Sequence, residues 1–176
     1  MSENENTLLM IGLGNPILGD DGVGWRIVQK VEASLNGNAS LPDGRSVKFD
    51  YLSLGGLSLM ENMAGYEDVM VVDSIRTGTK PNGTIFSLPL SGLPDLSAGH
   101  TTAIHDTSLA SALEVGRKMG MVLPDDVWVV AVEAEYVYDF SEELSAPVEA
   151  AVSPAVELVL NILQNNIREE KIYDLT

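Results

Sequence analysis

The sequence contains no cysteine. Disulfides, thiolate zinc sites and a cysteine nucleophile are therefore excluded, and the chain suits a reducing compartment. Positive charge is also scarce: ten Lys and Arg stand against 26 Asp and Glu, for a formal net charge of −16. A surface this acidic repels phosphate backbones and anionic headgroups, which disfavours a nucleic-acid or membrane-surface role. No apolar run approaches the ~20 residues that span a bilayer. The opening Met1-Ser2-Glu3-Asn4-Glu5-Asn6-Thr7 lacks the basic and apolar regions of a signal peptide. A cytoplasmic protein is the expectation. There is no P-loop, no Gly-x-Ser-x-Gly and no His-Glu-x-x-His. What is present is 176 residues with 45% hydrophobic content, enough for one globular domain with its own core.

Residues 1–6 read as a disordered tail, 7–167 as a single domain and 168–176 as a C-terminal tail. Thr7 to Gly12 is a short apolar run that stops at glycine, as a buried strand does. The loop Leu13 to Gly22 follows, then a helix on which Val23, Ile27, Val31 and Leu35 recur. Ser46–Leu52 alternates as a strand, and Leu57–Met63 is a short helix after Gly55-Gly56. Asp68–Asp73 is a second buried strand, closed by a carboxylate. Gly83–Leu88 is another strand. Leu109, Leu113 and Met119 mark a helix with Asp106 or Thr107 as its cap, and Val127–Val132 is the last strong strand. Ser153-Pro154 has the form of a cap followed by a first-turn proline, so the terminal helix is expected to begin there. Strands alternating with helices predict a three-layer α/β domain, a twisted and mainly parallel sheet with helices on both faces. Ligands of such sheets bind at the carboxyl ends of the strands.

Three segments fall at that edge: the loop with Asn15, Asp20 and Asp21; the stretch from Asp73 through Ser74, Ile75, Arg76, Thr77 and Gly78; and the approach to a helix at His105. Two carboxylates and one imidazole suit a borderline divalent metal such as nickel or zinc, with coordination positions left for a substrate. Each residue has a plainer reading. Asp20 or Asp21 could cap the following helix, Asp73 needs only some polar partner, and His105 could be a loop residue facing solvent. His100 is a weaker candidate. Dinucleotide binding is disfavoured: Ile17 occupies the third glycine position of that fingerprint, and phosphate would face Asp20 and Asp21 with no compensating lysine.

Gly12-Leu13-Gly14-Asn15, four residues, then Asp20-Asp21-Gly22-Val23-Gly24 resembles the opening signature of the hydrogenase maturation endopeptidases. The likeness continues through Gly55-Gly56-Leu57, Val71-Val72-Asp73-Ser74 with Gly78, His105 with Leu109, and Pro147 and Pro154. The resemblance implies a protease that removes a C-terminal peptide from the large-subunit precursor of a nickel–iron hydrogenase after nickel insertion. It implies Asp21, Asp73 and His105 as the residues that are both catalytic and metal-contacting, with the nickel brought by the substrate. Many members carry Glu where this chain has Asp21, one methylene shorter. The implied partner is the hydrogenase precursor, with no nucleic acid and no membrane, and a monomer is expected. Two alternatives stand beside it. Gly12-Leu13-Gly14-Asn15-Pro16 also resembles the start of peptidyl-tRNA hydrolases, though Ile17 replaces their glycine and the charge opposes tRNA. A chaperone that grips the precursor without cutting it is the other.

Overall fold

In the computed structural model, residues 6–35, 40–93, 108–125, 127–135, 140–166 and 168–173 are described. The apolar runs become strands buried on both sides. β1 (Thr7–Leu13) leads to α1 (Val23–Ser34), β2 (Ser46–Leu52), α2 (Gly56–Asn62), β3 (Asp68–Ile75) and β4 (Ile85–Pro89). α3 (Leu109–Lys118), β5 (Val127–Glu133), α4 (Ala146–Asn165) and β6 (Lys171–Tyr173) complete the chain. The six strands form one sheet in the order β2-β1-β3-β5-β4-β6. β2, β1, β3 and β5 are parallel, while β4 runs antiparallel to β5 and to β6. The expected three-layer, mainly parallel α/β architecture is what forms.

Period-two alternation sorts the strand residues onto two layers. Leu8, Met10, Met70, Val72, Val130 and Val132 face α1 and α4. Leu9, Ile11, Val69, Val71, Val129 and Ala131 face α2 and α3. Each fully buried Leu, Ile or Met contributes roughly 1.5–3 kcal/mol, so both layers are needed to hold the sheet.

Two boundaries differ from expectation. α4 begins at Ala146, with Pro147 in its first turn and Pro154 inside it. Pro154 cannot donate to the carbonyl four residues back. The helix runs through it because Val148, Ala151, Val152, Ala155 and Val159 form a continuous buried stripe. By length and composition this helix could cross a membrane, but that stripe packs in the α1 layer as core. Lys171–Tyr173, expected within a tail, pair with Ser87–Ile85 as a short edge strand.

The chain passes from β1 outward to β2, then returns to β3 on the other side of β1. The gap between the carboxyl ends of β1 and β3 is therefore the topological switch point, where such sheets open a crevice.

Candidate active site

The loop after β1 is folded tightly by its glycines. Gly14 has φ +118°, and a Cβ there would lie 1.9 Å from the carbonyl oxygen of Asp21. A Cβ on Gly24 would lie 2.3 Å from the Val72 carbonyl oxygen and 2.4 Å from that of Leu13. The first turn of α1 is thus wedged between the ends of β1 and β3, which no larger residue permits. This brings Asp21 back over the strand it left, where its Oδ2 accepts the Asn15 N–H at 2.6 Å.

Neither aspartate caps α1. Gly22 occupies the cap position, with no side-chain hydrogen bond there. Instead the neighbours diverge. Asp20 accepts the Ser145 N–H at 2.6 Å and the Ser145 hydroxyl at 2.8 Å, which ties the start of α4 to this loop. Only Asp21 is left at the switch point.

Asp73 lies on β3, two residues before the strand ends. It shares the face of Val71 and Ile75, on the α2/α3 side. Its Oδ1 accepts the Ser74 N–H at 2.7 Å. Burial raises the pKa of this carboxyl, the negative charge of Asp21 raises it further, and the Ser74 amide opposes both; the result is about 7. Among the described residues, neither Asp21 nor Asp73 has a Lys or Arg within ion-pairing distance. The structure therefore brings together two of the three expected site residues, with no compensating Lys or Arg among the described residues.

His105 lies outside the described residues, as do His100, Asp106 and Thr107. The cap of α3 is Ser108, whose Oγ accepts the Ser111 N–H at 3.2 Å, in place of the expected Asp106 or Thr107. A three-member group of His, Asp or Glu able to hold a metal is not found among the described residues.

One buried carboxylate that positions a loop at this edge is not singled out by the sequence reading. Glu133 ends β5 and is only 2% exposed. It pairs with Ile75 across the β3–β5 ladder, as Asp73 pairs with Ala131. Its carboxylate accepts the Thr77 N–H at 2.8 Å, the Thr77 hydroxyl at 2.8 Å and the Gly78 N–H at 2.9 Å. Its backbone also fastens the far end of the same loop. The Gly83 N–H donates to the Glu133 carbonyl, and the Glu133 N–H donates to the Thr84 carbonyl, each at 2.8 Å. The signal was available: an apolar strand closed by a carboxylate, the pattern that singled out Asp73, recurs at Val127–Glu133. Two lesser candidates also resolve. Asn15 Oδ1 accepts the Ile17 N–H at 3.2 Å and so serves its own loop, while Arg76 stands exposed on the loop that Glu133 holds.

Comparison with known proteins gives a consistent answer. The family described as hydrogenase maturation protease matches residues 49–162. The hydrogenase 2 maturation protease of Escherichia coli is 28% identical over 176 residues, covering 95% of this chain and 99% of its own. The solved hydrogenase maturating endopeptidase HybD from E. coli superposes with TM-score 0.67 at 27% identity, covering 95% of this chain and 96% of that one. A hydrogenase 2 maturation peptidase from a Thaumarchaeota archaeon is 33% identical with TM-score 0.57, covering 89% and 97%. These matches support the protease reading and neither alternative. The glycine-wedged loop and the paired carboxylates thus sit in a chain that belongs to the hydrogenase maturation proteases, a family of peptide-bond hydrolases.

Proposed function

We propose that this protein removes the C-terminal extension of a nickel–iron hydrogenase large-subunit precursor that already carries nickel. The observation that carries the reading is the pair Asp21 and Asp73: two carboxylates at the switch point with no cation to neutralise them among the described residues. Like charges held together in a partly buried site favour retention of a proton, and a divalent ion relieves the repulsion more effectively than a proton does. The precursor's nickel is that ion. Asp21 and Asp73 offer it hard oxygen donors.

His105 is the third ligand in this proposal. The support is topological. The far end of α3 lies at the amino edge of the sheet, where the Gly65 N–H donates to the Val122 carbonyl at 2.9 Å just beyond it. Its first turn, capped by Ser108, therefore starts toward the carboxyl edge, and His105 precedes it by three residues. A neutral imidazole at position 105 would add a nitrogen donor. Contact with the bound nickel places the neighbouring peptide bond against the site, where Asp21 and Asp73 are the groups positioned to act on an attacking water, the sense in which the endopeptidase would be of aspartic type.

The precursor is the one partner this reading requires. We place the protein in the cytoplasm, acting as a monomer without nucleic acid or membrane; its net charge of −16 supports the last two. Incubating the nickel-loaded precursor with the protein and weighing the product by mass spectrometry tests the proposal. Loss of a C-terminal peptide is expected. An intact precursor that nevertheless binds would favour the non-cleaving chaperone.

A further inference from the structure

The protein is short of cations, so the placement of the free ones is informative. Of its ten Lys and Arg, only the side chains of Lys30, Arg76 and Lys80 have no ion pair or hydrogen bond among the described residues. The other seven are engaged with carboxylates or with backbone carbonyls. Lys30 is on α1, whereas Arg76 and Lys80 share the loop between β3 and β4. Both are exposed. Arg76 is three residues past Asp73, yet it makes no ion pair with that carboxylate. A guanidinium so near in sequence to an acid without a cationic partner among the described residues is free to pair with it only where the backbone lets it turn that way.

Here the backbone is held. Glu133 takes three hydrogen bonds from Thr77 and Gly78 with its carboxylate and two more contacts at Gly83 and Thr84 through its main chain. Within the loop, the Thr77 and Thr79 hydroxyls bond at 2.8 Å, and the Thr79 N–H donates to Thr77 Oγ1 at 3.1 Å. The loop is therefore fastened at both ends, and its two exposed cations follow the carboxyl end of β3, the strand that carries Asp73.

We propose that Arg76 and Lys80 form a carboxylate-recognition subsite for the segment being removed. Elsewhere this protein repels anions, at a net charge of −16. On this loop an acidic peptide meets two exposed cations that have no partner among the described residues. The partnering carboxylates are either acidic side chains of the extension or the free C-terminus of the precursor. This inference rests on the reading of the protein as a C-terminal processing protease.

The test is steady-state cleavage of nickel-loaded precursor by the wild type, by the Arg76→Ala/Lys80→Ala double variant, and by Lys30→Ala as a matched charge control. Three substrates separate the sources: the native precursor, one whose extension has Asp and Glu replaced by Asn and Gln, and one whose C-terminus is moved by an added Gly-Ser tail. The double variant is expected to raise KM about tenfold on the native precursor, with kcat moving far less and the salt dependence of KM weakened. Lys30→Ala should match the wild type. On whichever altered substrate lacks the recognised carboxylate, the wild type should already show the high KM, and the double variant should add nothing. An unchanged KM in the double variant, or an equal loss on all three substrates, overturns the proposal. If the wild type cuts no precursor at all, the processing reading fails instead. Calorimetric binding of the synthetic extension peptide to wild type and double variant then still decides the subsite: equal affinities sink it.

Discussion

Asp21 reaches back over β1 so that its negative charge adds to burial in raising the pKa of Asp73 to about 7. Sequence neighbours of these two residues are spent on structure, Asp20 on Ser145 and Ser74 within the packed sheet. The fold therefore separates adjacent residues by role. One aspartate of the Asp20-Asp21 pair joins two loops, and the other accepts the Asn15 amide at the end of β1, beside Asp73.

A raised carboxyl pKa has a definite sign in stability. Between its ordinary value of 3.8 and about 7, Asp73 holds a proton in the folded protein that it has released in the unfolded one. Its contribution is most favourable below pH 4 and is lost as pH climbs through 7. A shift of that size corresponds to about 4 kcal/mol at 1.36 per unit, and partial contact with solvent reduces the expectation to roughly 2. Urea unfolding at pH 5 and pH 8 should show this fall in the wild type and a flatter profile in Asp73→Asn. Equal pH profiles would mean that Asp73 ionises normally.

Asp20 and Asp21 should separate cleanly under mutation. Asp20→Ala removes two hydrogen bonds to Ser145 and should lower stability by about 1–2 kcal/mol, with precursor cleavage retained. Asp21→Asn keeps an oxygen for the Asn15 N–H, so its stability should stay within about 1 kcal/mol of wild type. It loses the anionic donor, and cleavage of nickel-loaded precursor should disappear. Cleavage at the wild-type rate in Asp21→Asn would remove that residue from the site.

Much of this was legible in the sequence because parallel strands, covered on both faces, read as unbroken apolar runs. Leu8–Ile11, Val69–Val72 and Val127–Val132 announce themselves in that way. β6 does not: Lys171 and Ile172 are exposed, and the strand exists only because β4 offers an open edge. Pro154 misled for a different reason. A serine followed by proline is good helix-start chemistry, but the buried stripe on either side of it outweighs one missing hydrogen bond.

The site was legible as to residue type and less so as to partnership. Asp73 stood out as a polar end to an apolar strand, and Glu133, which obeys the same rule, was passed over. Which of Asp20 and Asp21 faces the crevice depends on Ser145, more than a hundred positions away. Spacing along the chain carries no trace of such a contact. His105 falls outside the described residues, so its role rests on the resemblance and on the direction of α3.

The glycines of the opening motif make a sharper structural prediction. Gly24→Ala would place a methyl 2.3 Å from the Val72 carbonyl oxygen and 2.4 Å from that of Leu13, both on strands that cannot recede. Overpacking of this kind costs about 1–3 kcal/mol, and here it would also push α1 away from the β1–β3 gap. Lowered stability together with weakened metal binding is expected. A variant as stable as wild type would show that the first turn of α1 is not wedged as described.

Glu133 offers the most discriminating substitution, because its two replacements fail differently. Glu133→Gln keeps Oε1, which takes both the Thr77 and Gly78 amides, and its new amide can donate to the Thr77 hydroxyl. Stability should fall by no more than about 1 kcal/mol, and cleavage should persist. Glu133→Ala leaves those two N–H groups without an acceptor beneath a closed loop. A buried donor so stranded costs about 1–3 kcal/mol, and because Thr77 is half-buried and Gly78 exposed the expected loss is roughly 1–3 in all. Where the domain still folds, amide exchange at Thr77 and Gly78 should accelerate well beyond that of β3 and β5, with KM for the precursor rising as the Arg76 and Lys80 loop loosens. Were Glu133→Ala to retain slow exchange at those amides, water or another group must hold the loop, and Glu133 would be reduced to a strand-end residue.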